Sequence, residues 1–357
     1  MSLDPPASLA ALPPDRRRAE ILAWLRETDA GRLAALFDAA DGVRRAHVGD
    51  AVHLRGLIEI SNICRCDCLY CGLRASNAAL PRYRMTRDEI LECAAAAVAY
   101  GYGTVVLQAG ESDAFGVEDI AALVREIKAA TPLAVTLGLG ERPREDWAAW
   151  KAAGADRYLL RHETSDTALL RRLRPAHLYP SRIDALRVLQ ALGFETGSGI
   201  MVGLPGQSYA SVAGDIMLFA DLDLDMVGIG PYIPHPATPL AGAASNLGAE
   251  QAPATEAMAL KAVALARLAC PCANIPATTA LATINRTDGR ESALRAGANV
   301  VMPNLTPARY RRLYEIYPEK ACIDESSEHC DECIKARIRA IGRTIGTGPG
   351  SRAAPPR

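Results

Sequence analysis

Four of the ten cysteines fall in one short stretch, and three of them, Cys64, Cys68 and Cys71, have the spacing C-x3-C-x2-C. Three thiolates on one loop can hold three corners of a cubane [4Fe–4S] cluster, and a closed cluster needs a fourth cysteine. Cys66 lies among them. A zinc site or a disulfide would use the same residue type. Structural zinc usually takes four closed ligands, often as two C-x2-C pairs, and Cys66 is poorly spaced for that.

A second set, Cys322, Cys330 and Cys333, has the spacing C-x7-C-x2-C. It is consistent with an auxiliary iron–sulfur cluster of [2Fe–2S] or [4Fe–4S] type, with His329 beside it as a candidate fourth ligand. Free surface thiols are the competing reading. Cys93, Cys270 and Cys272 have no metal spacing and read as core or incidental thiols.

These thiols need a scaffold, and the pattern supplies one. The apolar run Leu57–Ile60, interrupted only by Glu59, reads as a buried strand that presents the first cysteine loop at its carboxyl end. Helical stretches then alternate with strand-like runs. Helices are expected at 86–100, 117–130, 144–153, 182–192, 209–220, 255–268, 291–296 and 308–316. Strands are expected at 104–108, 134–139, 157–160, 197–202, 226–229, 275–278 and 300–302. Eight strand–helix units imply a parallel sheet with right-handed crossovers, closed as a (β/α)8 TIM barrel over residues 51–317. Residues 1–50 read as an N-terminal helical extension, loose to about residue 13, with two short helices to about Asp41 and a third near 41–52. Residues 318–347 form a cysteine-containing segment, and 348–357 reads as a disordered tail.

In such a barrel, reacting groups lie where strands end. The second strand ends in Ala109, Gly110 and Glu111. The third carries Thr136 and Gly138, where small residues leave room for a nucleoside. On the fourth, alternation puts Arg157, Leu159, Arg161 and Glu163 on one face, costly unless paired or liganding. Arg182 opens the next helix, and a guanidinium there suits a carboxylate. The fifth strand carries Met201. The sixth, from Met226 to Ile229 and on into Gly230, offers an apolar edge with two glycines, Gly228 and Gly230. Thr278 and Thr279 end the seventh. Thr136, Arg157, Thr278 and Thr279 could line a polar pocket for an anionic substrate.

The chain has 357 residues, 49% of them hydrophobic, and a net charge of −1. That balance gives no electrostatic case for nucleic acid or a membrane surface as partner. No apolar run reaches the length of a membrane span, and no signal-peptide pattern opens the chain. The cysteine usage suits metal or redox chemistry in a cytoplasmic setting.

The C-x3-C-x2-C loop, with Tyr70 just before its last cysteine, resembles the signature of the radical S-adenosylmethionine (SAM) superfamily. The resemblance implies a [4Fe–4S] cluster whose open iron is chelated by SAM, and reductive cleavage of SAM to a 5′-deoxyadenosyl radical. It implies that Tyr70, Ala109, Gly110, Glu111, Gly138, Glu163, Arg182, Met201, Met226 and Ile229 surround SAM. Further phrases, including 61–62, 82–85, 107–111, 156–164, 201–207, 225–231 and 275–280, resemble the HydE family of [FeFe]-hydrogenase maturases from about Gly56 to Cys333. That closer resemblance implies an organometallic Fe–cysteine substrate carrying CO and CN⁻, in an inner pocket of Thr136, Arg157, Thr278, Thr279 and Tyr314. It also implies an electron donor such as ferredoxin or flavodoxin, and other hydrogenase maturases as partners. A biotin synthase-like or methylornithine synthase-like enzyme, or a non-catalytic iron–sulfur carrier, remain alternatives.

Overall fold

The computed structural model describes residues 9–174, 178–243, 248 and 250–353. Strand β1 (Ala51–Ser61) is the apolar run before the first cysteine loop. It continues through β2 (Thr104–Ala109), β3 (Ala134–Gly138), β4 (Arg157–Leu159), β5 (Glu195–Val202) and β6 (Met226–Pro231) on one side, and β7 (Val300–Val301) on the other. All these pairs are parallel. A short extra strand, β8 (Thr344–Ile345), also pairs with β1.

Between β6 and β7 the circuit is completed by single bridges, Met226 to Asn274 and Pro276 to Val300. The expected seventh strand at 275–278 is therefore reduced. Pro276 has no N–H to donate to a ladder, and Thr279 already opens a short helix, Thr279–Ile284. The result is a curled parallel sheet with helices outside, the α/β barrel architecture the sequence implied.

The outer helices follow their signals. Helix α3 (Arg87–Ala99) starts at a capping box, with the Thr86 hydroxyl on Glu89 N–H and the Glu89 carboxylate on Thr86 N–H. Its core face carries Ile90, Ala94 and Ala97, while Val98 is 40% exposed.

Before the barrel lie α1 (Pro14–Arg26) and α2 (Ala30–Val48). Helix α2 absorbs the separate third helix expected near 41–52, because a single Gly42 costs a helix interior only about 1 kcal/mol. Leu9 is fully buried and its N–H donates to Leu268 O, so the segment from Leu9 is packed rather than loose. Residues 1–8 lie outside the described residues. No helix among the described residues is long and apolar enough to cross a membrane.

The end of the chain differs most from expectation. A helix at Ser327–Ala340 carries Cys330 and Cys333. Residues 348–353 are not a disordered tail. They lie across the floor of the barrel, at the amino ends of the strands. Thr104 Oγ1 and Arg157 Nη2 donate to Pro349 O, and Arg55 Nη2 and Asn274 Nδ2 donate to Gly350 O. Buried donors need acceptors, and this segment supplies them.

Candidate active site

The first cysteine loop leaves β1 through a set of clamps. Asn62, fully buried, donates to Pro81 O and Leu313 O and accepts from Tyr83 N–H. Arg82 donates to the carbonyls of Asn62, Leu73 and Arg74, tying the start of the loop to its end. Asp67 takes a two-pronged contact from Arg74 at 2.8 and 2.7 Å, and Arg74 with Ser76 holds its carboxyl well below the usual range. Behind the loop, a Cβ on Gly110 would lie 2.4 Å from Ile63 O and 2.8 Å from the Cys64 Cβ. Only glycine allows that approach.

Within this frame Cys64, Cys68 and Cys71 converge closely enough to act on one another's ionisation. A hydrogen bond from Cys66 lowers Cys64, whereas burial pushes Cys71 up to about 12. Cys68 is raised by its hydrogen bond to Cys66 and by burial. Thiols whose ionised forms repel one another, as Cys71 does Cys64 and Cys68 does Cys71, are a donor set that a cationic iron centre would satisfy. The three therefore fit a cluster. Cys66 is buried and hydrogen-bonded to both Cys64 and Cys68, and its Sγ also lies 3.2 Å from Glu111 Oε1 and 3.5 Å from Arg174 Nη2.

Glu163 does not lie on a strand. Strand β4 ends at Leu159, and Glu163 has φ 65°, a left-handed conformation uncommon outside glycine and suggestive of function. Its N–H still donates to Gly199 O, and its carboxylate pairs with Arg161 at 3.2 Å. Tyr70, Glu163 and Arg182 form one neighbourhood with the cluster loop. Burial raises the Tyr70 phenol well above its ordinary value, and the Cys68, Glu163 and Arg182 charges act on it.

Arg182 is buried. Its Nε lies 3.0 Å from Glu141 Oε1, and Nη1 donates to Arg161 O. Glu111 accepts from Arg174 at 2.8 Å and from Glu141 N–H at 2.8 Å. Its side chain is thus part of an ion-pair cluster, while Ala109 and Gly110 form the backbone beside the loop. Gly138 ends β3 with nothing closer than 3.8 Å to an added Cβ, so the space expected there exists. Met201 N–H donates to Glu163 O.

Below this neighbourhood the barrel encloses a cavity of about 50 Å³, lined by Arg55, Thr136, Arg161, Met226, Asn274 and Thr278 among others. Arg55 is 4% exposed, and burial with the nearby Arg157 pushes it down to about 9. Its acceptors are Met226 Sδ at 2.8 Å and Gly350 O at 3.0 Å, with no carboxylate among them. The Arg55 Nε and Thr136 Oγ1 atoms, both buried, have no partner among the described residues. Unpaired buried donors beside a cavity favour an anionic occupant.

Several expected pocket residues are placed elsewhere. Arg157 does not line this cavity. Its Nε is 2.7 Å from Glu195 Oε2, Nη1 donates to Thr104 Oγ1, and Nη2 donates to Pro349 O and Ser351 Oγ. It faces inward as alternation predicted, but at the barrel floor, where 348–353 occupies the space. Met226 opens β6 and sits deep, on Arg55, rather than beside Tyr70 and Glu163. Ile229 accepts on its carbonyl from Thr278 Oγ1 at 3.2 Å. Thr279 starts a helix and is not among the cavity-lining residues. Tyr314 is buried nearer the cluster loop, accepting from Gln108 Nε2 at 3.3 Å, and the Cys64 and Cys71 charges act on it.

Sequence reasoning missed Arg55 and Asn274 as lining residues. Arg55 had a signal, since alternation along β1 puts Arg55, Leu57, Glu59 and Ser61 on one face.

In the second cysteine set, Cys322, Glu325 and Cys330 place their ligand atoms within 4.8 Å of one another. Cys333, one turn further along the Ser327–Ala340 helix, is exposed and outside that group. Cys322 has φ 62°, and hydrogen bonding from Cys330 with the charge of Arg290 brings its thiol down to about 6.

A parallel barrel with three converging thiols at the mouth of its first strand is the arrangement of a radical SAM enzyme, and the radical SAM superfamily profile matches residues 58–219. Such enzymes use a [4Fe–4S] cluster and SAM. The [FeFe] hydrogenase maturase subunit HydE of Thermotoga maritima is 50% identical over 324 residues, covering 91% of this chain and 90% of that one. The chain belongs to the HydE family of [FeFe]-hydrogenase maturases. The 3-methylornithine synthase of Methanosarcina barkeri is 29% identical over 324 residues, 90% of this chain and 87% of that one. The crystal structure of methylornithine synthase superposes with a TM-score of 0.79 at 24% identity, covering 97% of each chain, and shares the fold.

Proposed function

We propose that this enzyme helps assemble the diiron site of [FeFe]-hydrogenase by directing a 5′-deoxyadenosyl radical onto an Fe–cysteine precursor carrying CO and CN⁻. When bound, the cluster supplies the electron that cleaves SAM. Cys64, Cys68 and Cys71 would hold the cluster. Tyr70, Gly110, Gly138, Glu163 and Arg182 would hold SAM beside it.

The observation that carries the substrate reading is the barrel cavity. Arg55 and the Thr136 hydroxyl, the first with no carboxylate partner and the second with no partner among the described residues, face a space the size of a small polar group. A cysteine carboxylate fits that chemistry, because guanidinium and hydroxyl donors match a carboxylate. Its metal end would then lie upward, towards Arg161 and Glu163. Ferredoxin or flavodoxin would supply electrons, and the other maturases would act alongside. Cys322, Cys330 and Cys333 would hold a second iron–sulfur cluster, a reading supported by the approach of Cys322 to Cys330.

The test is anaerobic reconstitution, assay of 5′-deoxyadenosine formation, and addition of the protein to an in vitro hydrogenase maturation mixture. Both activities are expected, and Cys64→Ala, Cys68→Ala or Cys71→Ala should abolish both. SAM cleavage without any support of maturation would overturn the substrate reading. Full cleavage in one of the three cysteine variants would overturn the cluster ligands.

A further inference from the structure

Beside the cluster loop is a buried four-membered ion cluster of Glu111, Glu141, Arg174 and Arg182. Glu141 is its hub. It is fully buried, and its Oε1 accepts from Arg174 Nη1 at 2.6 Å and Arg182 Nε at 3.0 Å. Its Oε2 accepts from Leu178 N–H at 2.8 Å, and its own N–H donates to Glu111 Oε2 at 2.8 Å. The preceding residue, Gly140, has φ 76°, and a Cβ there would lie 2.5 Å from the Glu111 Cγ. The chain is shaped at this point to bring the two carboxylates together.

From this hub, two lines run to the site. Arg174 bridges to Glu111 and to the Cys66 Sγ, and Glu111 O accepts from Arg65 N–H at 2.7 Å, inside the cysteine loop. Arg182 is fixed by Glu141 at Nε and by Arg161 O at Nη1. Its Nη2 has no hydrogen-bond acceptor among the described residues, since Glu111 Oε2 stands 3.7 Å away. A guanidinium held on one edge with a donor remaining is oriented to receive a carboxylate.

We propose that Glu141 is a positioning residue for SAM: by gripping Arg182 on one edge and Arg174 on the other, it sets the SAM-carboxylate donor and the cysteine loop in fixed relation. The proposal rests on the reading of Arg182 as the partner of the SAM carboxylate. The buried part of this cluster sets the Glu111 and Glu141 carboxylates against the Arg174 and Arg182 guanidiniums, with the exposed Arg65 3.7 Å from Glu111 Oε1. Glu141→Gln keeps the shape but removes one negative charge. Both arginines then compete for Glu111, and Arg182 is drawn off its position across the 3.7 Å gap.

The test uses cluster-loaded protein and reads SAM affinity together with the change in the EPR signal of the reduced cluster on adding SAM. Glu141→Gln should weaken SAM binding by about tenfold or more, as expected when a charge-assisted contact is displaced, with iron content kept. Glu141→Asp, which retains the charge, should recover part of the loss. A purely structural role would lower the melting temperature and leave affinity per loaded cluster unchanged, and that result overturns the proposal. If Glu141→Gln does not load a cluster, Glu141→Asp decides: weaker binding at full iron content supports the proposal, and wild-type affinity overturns it. Arg182→Lys separates the layers. Wild-type affinity in that variant removes the reading of Arg182 and the proposal with it. Lost affinity there with wild-type affinity in Glu141→Gln removes the proposal alone.

Discussion

Arg55 and Arg157 lie close together inside the barrel, yet their situations are opposite. Arg157 has a carboxylate, Glu195, and acceptors for each of its three nitrogens. Arg55 has a thioether and one carbonyl. An isolated buried charge destabilises, and replacing it with an apolar group of similar volume is often neutral or stabilising. Arg55→Met should therefore leave the melting temperature unchanged or raise it, while hydrogenase maturation falls and SAM cleavage persists. Arg157→Lys should do the reverse, costing roughly 1–3 kcal/mol through lost hydrogen bonds with maturation per folded protein retained. Thermal melts and a maturation assay on both variants decide the point, and a maturation loss confined to Arg157→Lys would sink it. The radical SAM signature was legible in the sequence because it lies in the local spacing of one loop. Arg157 was misplaced because what fills the space beside it, Pro349 and Ser351, comes from the far end of the chain.

At the scale of elements, the alternation of periods located nearly every strand and outer helix, because each buries one face. It failed where an element is short or is set by tertiary contact, as at Thr167–Leu173, at Ser327–Ala340 and at the bridges of 274–276. The exit of β4 against the helix Tyr209–Asp221 holds a feature no pattern shows. His162 and Asp215 are both buried, with His162 Nε2 3.9 Å from Asp215 Oδ1. The Ser198 hydroxyl donates to Leu160 O, so its oxygen accepts from His162 Nδ1, 2.8 Å away, leaving Nε2 as the bare nitrogen. Burial raises the Asp215 carboxyl from its ordinary 3.8 to about 7. Burial and the Arg161 and Arg182 charges lower His162 from 6.5 to about 3. From pH 3.8 to about 7 the folded state carries a proton on Asp215 that the unfolded chain has lost, so this group's contribution falls as pH rises. From about 3 to 6.5 the unfolded chain carries a proton that folded His162 lacks, so that contribution rises. Across the shared window the two slopes oppose. Relative to wild type, His162→Asn should lose stability as pH rises from about 3 to 6.5, and Asp215→Asn should gain it from 3.8 to about 7. Thermal melts across that range measure both difference curves, and two flat curves would show that the pair does not titrate this way.

Over the whole molecule, the barrel has a chemical end and a sealed end. The cysteine loop lies beyond the carboxyl end of β1, and 348–353 lies across the amino ends of the strands, where β8 leads into it. Composition gave no sign of this seal. A stretch of glycine, proline and serine reads as disorder when only its own sequence is weighed, whereas its order here comes from donors on distant strands. Gly348 and Gly350 have φ 69° and 58°, which lets the backbone turn its carbonyls to Thr104, Arg157, Arg55 and Asn274. Beyond them Arg352 lies 3.3 Å from Asp225 and also pairs with Asp223. Ending the chain after Thr347 would remove all these acceptors and admit water beneath the cavity. At about 1 kcal/mol for each lost hydrogen bond, the cost is roughly 3–5 kcal/mol, or a fall in melting temperature on the order of 10 °C. SAM cleavage should survive, because the cluster loop and its clamps stand at the other end. Maturation should fall further than SAM cleavage, because Arg55 loses the carbonyl that holds it and its charge becomes hydrated. Equal losses of the two activities in the truncated protein would mean that the seal serves stability alone, and an unchanged melting temperature would mean that it does not hold the floor.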